Sequence, residues 1–315
     1  MAHLVKLEDY ISRYQFDLNR YPSQFTRMKK ERWYYIKSEW EQANYDSLTD
    51  IEFVDNEKET EQSRFLGMFH KVKNWSKRSQ RKQDVEVEIE NQNEHLKQMS
   101  IEEVKDEFLR DLYHSQLQWA SSSLLEESSL HPKYRRDEWL RFFSQKMPDN
   151  YFLMYMPVFS VKHAPIQLEI LLISPTEIYC ISLLEGEEHS VFEASSERFW
   201  IEYVNKTRQK RLSPLISLSR MTGVVKGVLE EEGLVFPVRN VVVSKNSMID
   251  NKVQGAKVEF IDRRNFSSWY EKLRKHPSPL KSQQMKVTAA LLTHCYTHSF
   301  RRQVDENKDI DEMES

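Results

Sequence analysis

The stretch IQLEILLISPTEIYCISLL, residues 166–184, decides the fold of this chain. It holds two runs rich in isoleucine and leucine, 166–173 and 178–184, with the four residues SPTE between them. Apolar runs with so short a connection predict two neighbouring antiparallel strands. The preceding run YFLMYMPVF, residues 151–159, has the same character, so we expect a β-meander in this part of the chain.

The segments after the meander predict how the sheet continues. Two further β-rich runs follow, HSVFEA at 189–194 and FWIEYV at 199–204. Ser213 and Pro214 then suit the cap and the first turn of a helix, and apolar residues follow at helical spacing. The nearly all-apolar segment FPVRNVVVS, residues 236–244, is typical of a strand buried by parallel pairing. This order predicts a mixed sheet with helices on its faces.

The first part of the chain has a different composition. Residues 1–130 are poor in glycine and proline and rich in glutamate, lysine, glutamine and leucine, which indicates helices. Apolar residues recur at intervals of three and four over 4–19, over about 23–43 and over 96–121. Each recurrence predicts an amphipathic helix.

The expected fold class is therefore α/β (α+β), in three parts. Residues 1–130 form a helical region with a charged linker, and residues 131–275 form the mixed sheet flanked by helices. Residues 276–315 form a C-terminal helix, over 282–300, and an acidic tail. A chain of 315 residues has the length for about two domains.

Several classes of site are excluded by the residues that they need. The chain has six glycines, and neither GxGxxG nor GxxxxGK can be assembled from them, so dinucleotide-binding enzymes and P-loop ATPases are excluded. The two cysteines, Cys180 and Cys295, form no CxxC pair, and their number suits a reducing compartment. His294 and His298 would share one face of a helix, but no third ligand is evident and we predict no metal site.

The N-terminal sequence and the overall charge bear on location and partners. MAHLVKLEDYISR carries Lys6, Glu8 and Asp9 where a signal peptide is apolar, and no apolar run approaches the ~18 residues of a membrane span. We therefore expect a cytoplasmic protein without membrane contact. The net charge is −3, so any contact with nucleic acid would come from a local basic patch.

The order of elements over residues 131–250 resembles the nuclease-related domain, known as NERD. The resemblance rests on residues 166–186, on SPLISLSRMTGVVKGVL at 213–229 and on FPVRNVVVS at 236–244. It implies a fold similar to that of the restriction endonucleases. In that family a glutamate on an early helix, an aspartate on one strand and Glu-x-Lys on the next strand form a metal-dependent nuclease site.

The resemblance also implies that the active site of this chain is degenerate. Carried over residue by residue, the helix acid matches Glu138 and the strand acid matches Glu169, while Glu-x-Lys falls on Ser182 and Leu184. Two carboxylates would hold Mg²⁺ or Mn²⁺ against the scissile phosphate, and the lysine would orient the attacking water. Serine is a weak neutral ligand and leucine offers no donor. Glu138 and Glu169 are thus expected to be vestigial catalytic residues, without a cofactor.

Two basic segments are candidates for contact with a phosphate backbone. The segment HKVKNWSKRSQRKQ, residues 70–83, is equally typical of a solvated helix or a linker. The second segment comprises Lys206, Arg208, Lys210 and Arg211, and its alternative is a solvated loop. Because the second segment lies within the region that resembles NERD, we predict that DNA or RNA, if bound, contacts these four residues.

The leading hypothesis is an inactive NERD-like protein that binds nucleic acid or a protein that processes it. Two alternatives stay open. One is a divergent nuclease that uses Glu138 and Glu169 with Mg²⁺ or Mn²⁺. The other is a scaffold that binds a protein partner through the helical half and does not contact nucleic acid.

Overall fold

The computed structural model describes residues 1–49, 99–161, 164–252 and 257–301. The chain divides into two compact units. One unit comprises Met1–Thr26 together with Leu112–Ser315, and the other comprises Arg27–Asp111. The basic segment at 70–83 and the acidic tail from residue 303 lie outside the described residues.

The described residues form a mixed α/β structure. They include six helices: α1 (Tyr21–Thr49), α2 (Ile101–Trp119), α3 (Glu138–Lys146), α4 (Pro214–Glu231), α5 (Phe266–Arg274) and α6 (Ser282–Thr293). They also include fourteen strands: β1 (His3–Leu7), β2 (Glu126–Glu127), β3 (Phe152–Tyr155), β4 (Val158–Val161), β5 (Ala164–Gln167), β6 (Ile170–Ile173), β7 (Ile178–Leu183), β8 (Val191–Ala194), β9 (Phe199–Val204), β10 (Thr207–Leu212), β11 (Val238–Val243), β12 (Met248–Asn251), β13 (Val258–Ile261) and β14 (Phe300–Arg301).

A six-stranded mixed sheet with the order β1-β3-β6-β7-β11-β13 forms the centre of the first unit. Strand β6 is antiparallel to both of its neighbours, β3 and β7, whereas the pairs β1–β3, β7–β11 and β11–β13 are parallel. The carboxyl ends of β1, β3, β7, β11 and β13 therefore lie at one edge of the sheet, together with the start of β6.

Helices cover both faces of this sheet. On one face Leu171 and Cys180 belong to a buried cluster with Met221 of α4 and Leu291 of α6. On the other face Leu172, Ile181 and Val243 belong to a second buried cluster. Leu140 and Phe143 of α3 and Trp269 and Leu273 of α5 complete that cluster. Each fully buried leucine or isoleucine contributes roughly 1.5–3 kcal/mol, so these two clusters stabilise the unit.

A second sheet of four strands has the order β10-β9-β8-β12. Strands β8, β9 and β10 are antiparallel to one another in sequence order, and β12 is parallel to β8. Asn205 and Lys206 join β9 to β10 with φ angles of 45° and 70°. Two consecutive residues with positive φ form the type I′ turn that matches the twist of a hairpin.

Helix α3 shows how local sequence fixes an element. The Asp137 side chain accepts a hydrogen bond from the Leu140 N–H at 2.8 Å, which satisfies one of the unpaired donors of the first turn. Trp139, Leu140 and Phe143 then lie on the side that faces the sheet. In the second unit the ring of Trp33 lies 5.2 Å from that of Phe108, centroid to centroid, so aromatic packing joins α1 to α2 there.

The predicted core of the meander is confirmed. Strands β6 and β7 are antiparallel, with Ile170 opposite Ile181, so Glu169 falls opposite Ser182 at the edge of the sheet. Strand β11 runs parallel to β7 and follows the crossover helix α4. The predicted helices in the regions 23–43 and 96–121 correspond to α1 and α2.

Two predicted strands are broken in the structure. The run 151–159 divides into β3 and β4 at Met156, which has a φ of 50° and precedes Pro157. The run 166–173 divides into β5 and β6, and the short strands β4 and β5 pair with each other. A positive φ is rare for a residue other than glycine, so the hydrophobic pattern of the sequence did not predict this bend.

The predictions for both ends of the first unit were wrong in part. The predicted helix over 4–19 is instead the strand β1 followed by a 3₁₀ turn at Arg13–Gln15. Leucines at positions 4 and 7 fit a helical period, but pairing with β3 makes the segment a strand. The predicted helix over 282–300 ends at Thr293, where His294 caps it. The pair His294 and His298 therefore does not share a helix face.

Candidate functional site

Glu169 and Ser182 meet at the edge of the six-stranded sheet. Ser182 Oγ donates a hydrogen bond to Glu169 Oε1 at 2.9 Å, and the Leu183 N–H donates to Glu169 Oε2 at 3.0 Å. Both oxygens of this partly buried carboxylate therefore have a partner within the chain. The structure brings together two of the four residues that the NERD resemblance singles out.

The other two residues of that set differ from each other in environment. Leu184 is buried and packs in the cluster beside α4, on the same face of the sheet as Ser182. Glu138 is exposed in the first turn of α3, and α3 packs on the opposite face. Among the described residues Glu138 makes no side-chain hydrogen bond or ion pair, so no such contact joins it to Glu169.

The acid of α3 that does face the sheet is Asp137. Both of its carboxylate oxygens accept from the Tyr155 hydroxyl, each at 3.0 Å. Burial raises the pKa of Tyr155, and the neighbouring Asp137 raises it further, so the hydroxyl keeps its proton. Glu8 follows β1 with a φ of 44° and binds Lys133 Nζ at 3.1 Å. The sequence did not indicate the contact of Glu8 with Lys133, because the spacing of apolar residues over 4–19 favours a helix.

The carboxylates do not converge on one point. Within the residues that the structure describes, no three histidine, cysteine, aspartate or glutamate side chains are placed so that they could hold a metal ion. A hard cation such as Mg²⁺ needs several oxygen ligands at close range, and the Glu169 oxygens are already engaged by neutral donors.

Three of the four basic residues between 206 and 211 lie on a strand, and the fourth lies in the turn before it. Lys206 lies in the turn, and the remaining cations lie on β10, whose residues are all exposed. Strand β10 is an edge strand because it pairs only with β9 in its sheet. Arg208 and Lys210 are two apart and therefore project from one face, while Arg211 projects from the other.

Arg211 has an internal role. Its Nε donates to Glu202 Oε2 at 2.6 Å, and the Glu202 side chain is completely buried. Burial acts to raise the pKa of Glu202, but hydrogen bonds from Arg211 and from the Glu187 N–H outweigh it and lower that pKa below its ordinary value. A Cβ at Gly186 would lie 2.7 Å from Glu202 Oε1, so this position needs glycine. Arg211 thus has a structural partner within the chain, while its side chain is 43% exposed.

The face of the four-stranded sheet that carries Arg208 and Lys210 also carries exposed aromatic rings. Phe199 is 44% exposed and Tyr203 is 36% exposed, and Ile201 lies between them on the same face of β9. The register places Leu212, Lys210 and Arg208 opposite Phe199, Ile201 and Tyr203. The intervening residues Trp200, Glu202 and Val204 are buried on the inner face.

An arginine lies against each of these two rings. The Arg208 guanidinium carbon is 5.5 Å from the Tyr203 ring centroid, and that of Arg198 is 5.6 Å from the Phe199 ring centroid. We call Arg198, Phe199, Ile201, Tyr203, Arg208, Lys210 and Leu212 the outer face. The alternation in FWIEYV places Phe, Ile and Tyr on one face, but such a pattern predicts that the apolar face is buried, so the sequence did not reveal this exposed face.

Comparison with protein-family models finds no match for the chain. Comparisons with curated proteins and with solved structures likewise find no significant match. The described helices include none with the length and apolar character to cross a membrane.

Proposed function

We propose that this protein is a catalytically inactive relative of the nuclease-related domain that binds nucleic acid through the basic strand β10 and the turn before it. The observation that carries the proposal is the exposure of Lys206, Arg208 and Lys210. Within the described part of the chain, none of these three side chains has a carboxylate within 4.0 Å. Exposed cations that form no ion pair with a carboxylate are available to phosphate groups.

The order of elements supports the relation to nuclease folds. Helix α3, strands β3, β6 and β7, helix α4 and strand β11 follow one another in the order that the NERD resemblance implies. The strand pairing also agrees, with three antiparallel strands and a fourth that is parallel to the third. The β4–β5 hairpin and the strands β8–β10 lie between these elements in the chain and have no counterpart in that order.

The environment of Glu169 supports the absence of catalysis. A metal-dependent nuclease needs a second charged oxygen and a cation beside the first carboxylate. Here Ser182 donates to that carboxylate, and the position of the lysine is the buried Leu184. The Ser182 hydroxyl and the Leu183 N–H occupy both oxygens of Glu169, so the carboxylate serves to hold β6 and β7 together.

Binding is tested with the triple variant Lys206→Gln, Arg208→Gln, Lys210→Gln. We expect the apparent affinity of the parent for a DNA oligonucleotide to fall steeply with salt, because phosphate contacts release counterions. The variant should lower the slope of log affinity against log salt by up to about 3, about one for each charge removed. Arg211 is kept, since its replacement would unpair Glu202.

The matched control replaces three exposed helical lysines, Lys226, Lys272 and Lys286, with glutamine. It removes the same charge from the molecule, so a slope equal to that of the parent would locate the effect in β10. An equal loss in both variants, or no binding by the parent at low salt, would contradict the proposal. In the latter case the scaffold that binds a protein would be the remaining hypothesis.

Catalysis is tested separately. We expect no cleavage of DNA or RNA above background with Mg²⁺ or Mn²⁺, whatever the oligonucleotide. Cleavage by the parent that is abolished by Glu169→Gln would establish the divergent nuclease instead. Cleavage that persists in Glu169→Gln would indicate a contaminating enzyme.

A further inference from the structure

The outer face carries both exposed aromatic rings and exposed cations, which rarely occur together on a sheet. Large rings that are normally buried face solvent there, and they form a row with Ile201 along β9. A strand rises ~3.3 Å per residue, so the Phe199 and Tyr203 side chains start about 13 Å apart. Contiguous exposed aromatic surface on a folded domain marks a binding site.

Cations surround this row of rings. Arg198, Arg208 and Lys210 lie on or beside it, and in the described residues none of them forms an ion pair with a carboxylate within 4.0 Å. Two acids on this side of the sheet lie away from β10. Glu193 accepts from the Tyr203 hydroxyl at 2.9 Å and from Lys252 Nζ at 3.0 Å, and Asp250, opposite Glu193 on β12, lies 3.8 Å from the same Nζ. The surface is therefore apolar along its centre and positively charged along its β10 side.

We infer that the outer face binds single-stranded nucleic acid, with bases stacked on Phe199 and Tyr203 and the phosphate backbone along Arg208 and Lys210. The inference rests on the proposed function and specifies the class of its ligand. Every base has a π face, so aromatic rings on a sheet bind unpaired bases with little dependence on sequence. Bases in a duplex are stacked on one another and present no face to a ring on a flat sheet.

The charge of the face argues against a second copy as the occupant. Two outer faces in contact would bring Arg208 and Lys210 of each copy together in a dewetted interface, where like charges repel strongly. Cations on the edge strand also discourage pairing with a strand of another chain. A polyanion with exposed rings satisfies both the charge and the apolar centre.

The test measures the affinity of the full chain for a fluorescent single-stranded DNA 20-mer and for the blunt duplex of that sequence, by fluorescence anisotropy. The test variant is Phe199→Leu with Tyr203→Leu, which keeps the surface apolar and leaves every cation in place. We expect it to weaken single-strand binding by about tenfold or more for each ring lost. The slope against salt should not change, because the number of phosphate contacts is the same.

The chain offers a closely matched control. Phe300 and Tyr296 are 49% and 45% exposed, and they do not belong to the outer face. Phe300→Leu with Tyr296→Leu makes the same chemical change at similar exposure, and we expect parental affinity from it. Phe199→Trp is a second variant, which retains a stacking ring. We expect it to keep the affinity and to show quenching of its added tryptophan emission when the oligonucleotide binds.

The outcomes separate this inference from the proposed function. A loss confined to the Phe199 and Tyr203 variant, seen with the single strand and not with the duplex, supports both. Binding that depends on Arg208 and Lys210 but is equal in the two leucine variants overturns the stacking inference and leaves the proposed function. Failure of the parent to bind any nucleic acid at low salt overturns both.

Discussion

The edge of the six-stranded sheet and the outer face of the four-stranded sheet make opposite use of their polar groups. At the sheet edge Glu169 is hydrogen-bonded to Ser182 Oγ and to the Leu183 N–H, within its own sheet. On the outer face Arg208 and Lys210 carry charge into solvent, beside exposed rings. The carboxylate that the family resemblance marks as catalytic is satisfied by partners within its sheet, while Arg208 and Lys210 are exposed to solvent.

This difference shows that the role of a charged residue depends on the groups that it contacts. Arg208 and Arg211 are three residues apart on one strand, and the sequence offers no reason to separate them. The pleat directs Arg211 toward the buried Glu202 and directs Arg208 toward Tyr203 at the surface. We therefore expect one arginine to matter for stability and the other for binding.

The largest expected effect is on stability and comes from Arg211→Ala. Removal of one member of a buried pair leaves the other charge uncompensated, which costs ~3–5 kcal/mol for a fully buried pair. Because Arg211 itself is partly exposed, we expect a loss of about 2–3 kcal/mol in the free energy of unfolding, measured by urea denaturation. Arg208→Ala should cost less than about 0.5 kcal/mol. Equal losses would remove the distinction between the two arginines.

The same pair makes a prediction in acid. The pKa of Glu202 is lowered in the folded state, so its contribution to stability is present above the ordinary pKa of glutamate and is lost as the pH falls through the folded value. We expect Glu202→Gln to unfold at lower denaturant concentration than the parent at neutral pH, with the difference narrowing in acid. A difference that stays constant with pH would show that the charge of Glu202 is not what stabilises the pair.

A buried lysine should change the free energy of unfolding by a similar amount, but in alkaline rather than acidic solution. Lys6 is fully buried in β1, its Nζ donates to the Tyr10 carbonyl at 2.7 Å and to Thr297 Oγ1 at 2.8 Å, and burial lowers its pKa to about 8. Between pH 8 and 10.5 the unfolded chain binds this proton and the folded chain does not. The free energy of unfolding should therefore rise with pH in this window.

The measurement compares Lys6→Met with the parent by urea denaturation at about pH 7.5 and about pH 9.5. One pKa unit corresponds to ~1.4 kcal/mol, so the parent should gain about 2 kcal/mol over this interval relative to the variant. Lys210→Met, which removes an exposed cation, should leave the dependence of stability on pH as in the parent. A parallel dependence in Lys6→Met and the parent would contradict the lowered pKa of Lys6.

A substitution at Gly186 should have an intermediate effect on the free energy of unfolding. An added Cβ would lie 2.5 Å from the Phe192 ring and 2.7 Å from Glu202 Oε1, so Gly186→Ala should destabilise the four-stranded sheet by about 1–3 kcal/mol. Gly227 is the control, because nothing lies within 4 Å of a Cβ there. Gly227→Ala on helix α4 should raise stability by about 0.5–1 kcal/mol. The prediction fails if both alanine variants shift the thermal midpoint in the same direction.

The smallest expected effect concerns the turn between β9 and β10. Lys206 has a φ of 70°, and Asn-Gly is the preferred pair for a type I′ turn. Lys206→Gly should therefore raise stability by up to about 1 kcal/mol while lowering the salt slope of binding by about one. This one substitution should therefore raise stability and weaken the salt dependence of binding at the same time. A loss of stability would indicate that the lysine side chain packs against the hairpin.

The sequence predicted the parts of the fold that depend on local pattern. The runs on either side of SPTE are apolar and closely spaced, so the antiparallel pairing of β6 and β7 was predicted, while their register was not. Ser213 and Pro214 marked the start of α4. These features need no knowledge of distant residues.

The sequence did not predict the parts that depend on distant partners. The segment HLVKL is a strand because β3 lies beside it, and the spacing of its leucines alone favours a helix. The run TRQKRL has no apolar alternation, and its strand is imposed by pairing with β9. Of the candidate site, the meeting of Glu169 with Ser182 followed from the register. The pairing of Arg211 with Glu202 depended on tertiary packing and was not predicted.

The pairing of β1 with β3 has a consequence for the order of folding during synthesis. His3 pairs with Phe152, so β1 leaves the ribosome about 150 residues before its partner strand β3. At roughly 5–20 residues per second, this interval is on the order of ten seconds or more. Contacts so distant in sequence close slowly, so β1 joins the sheet late in folding. Until then HLVKL is an unpaired apolar segment, and chaperone binding during translation would protect it from association with other chains.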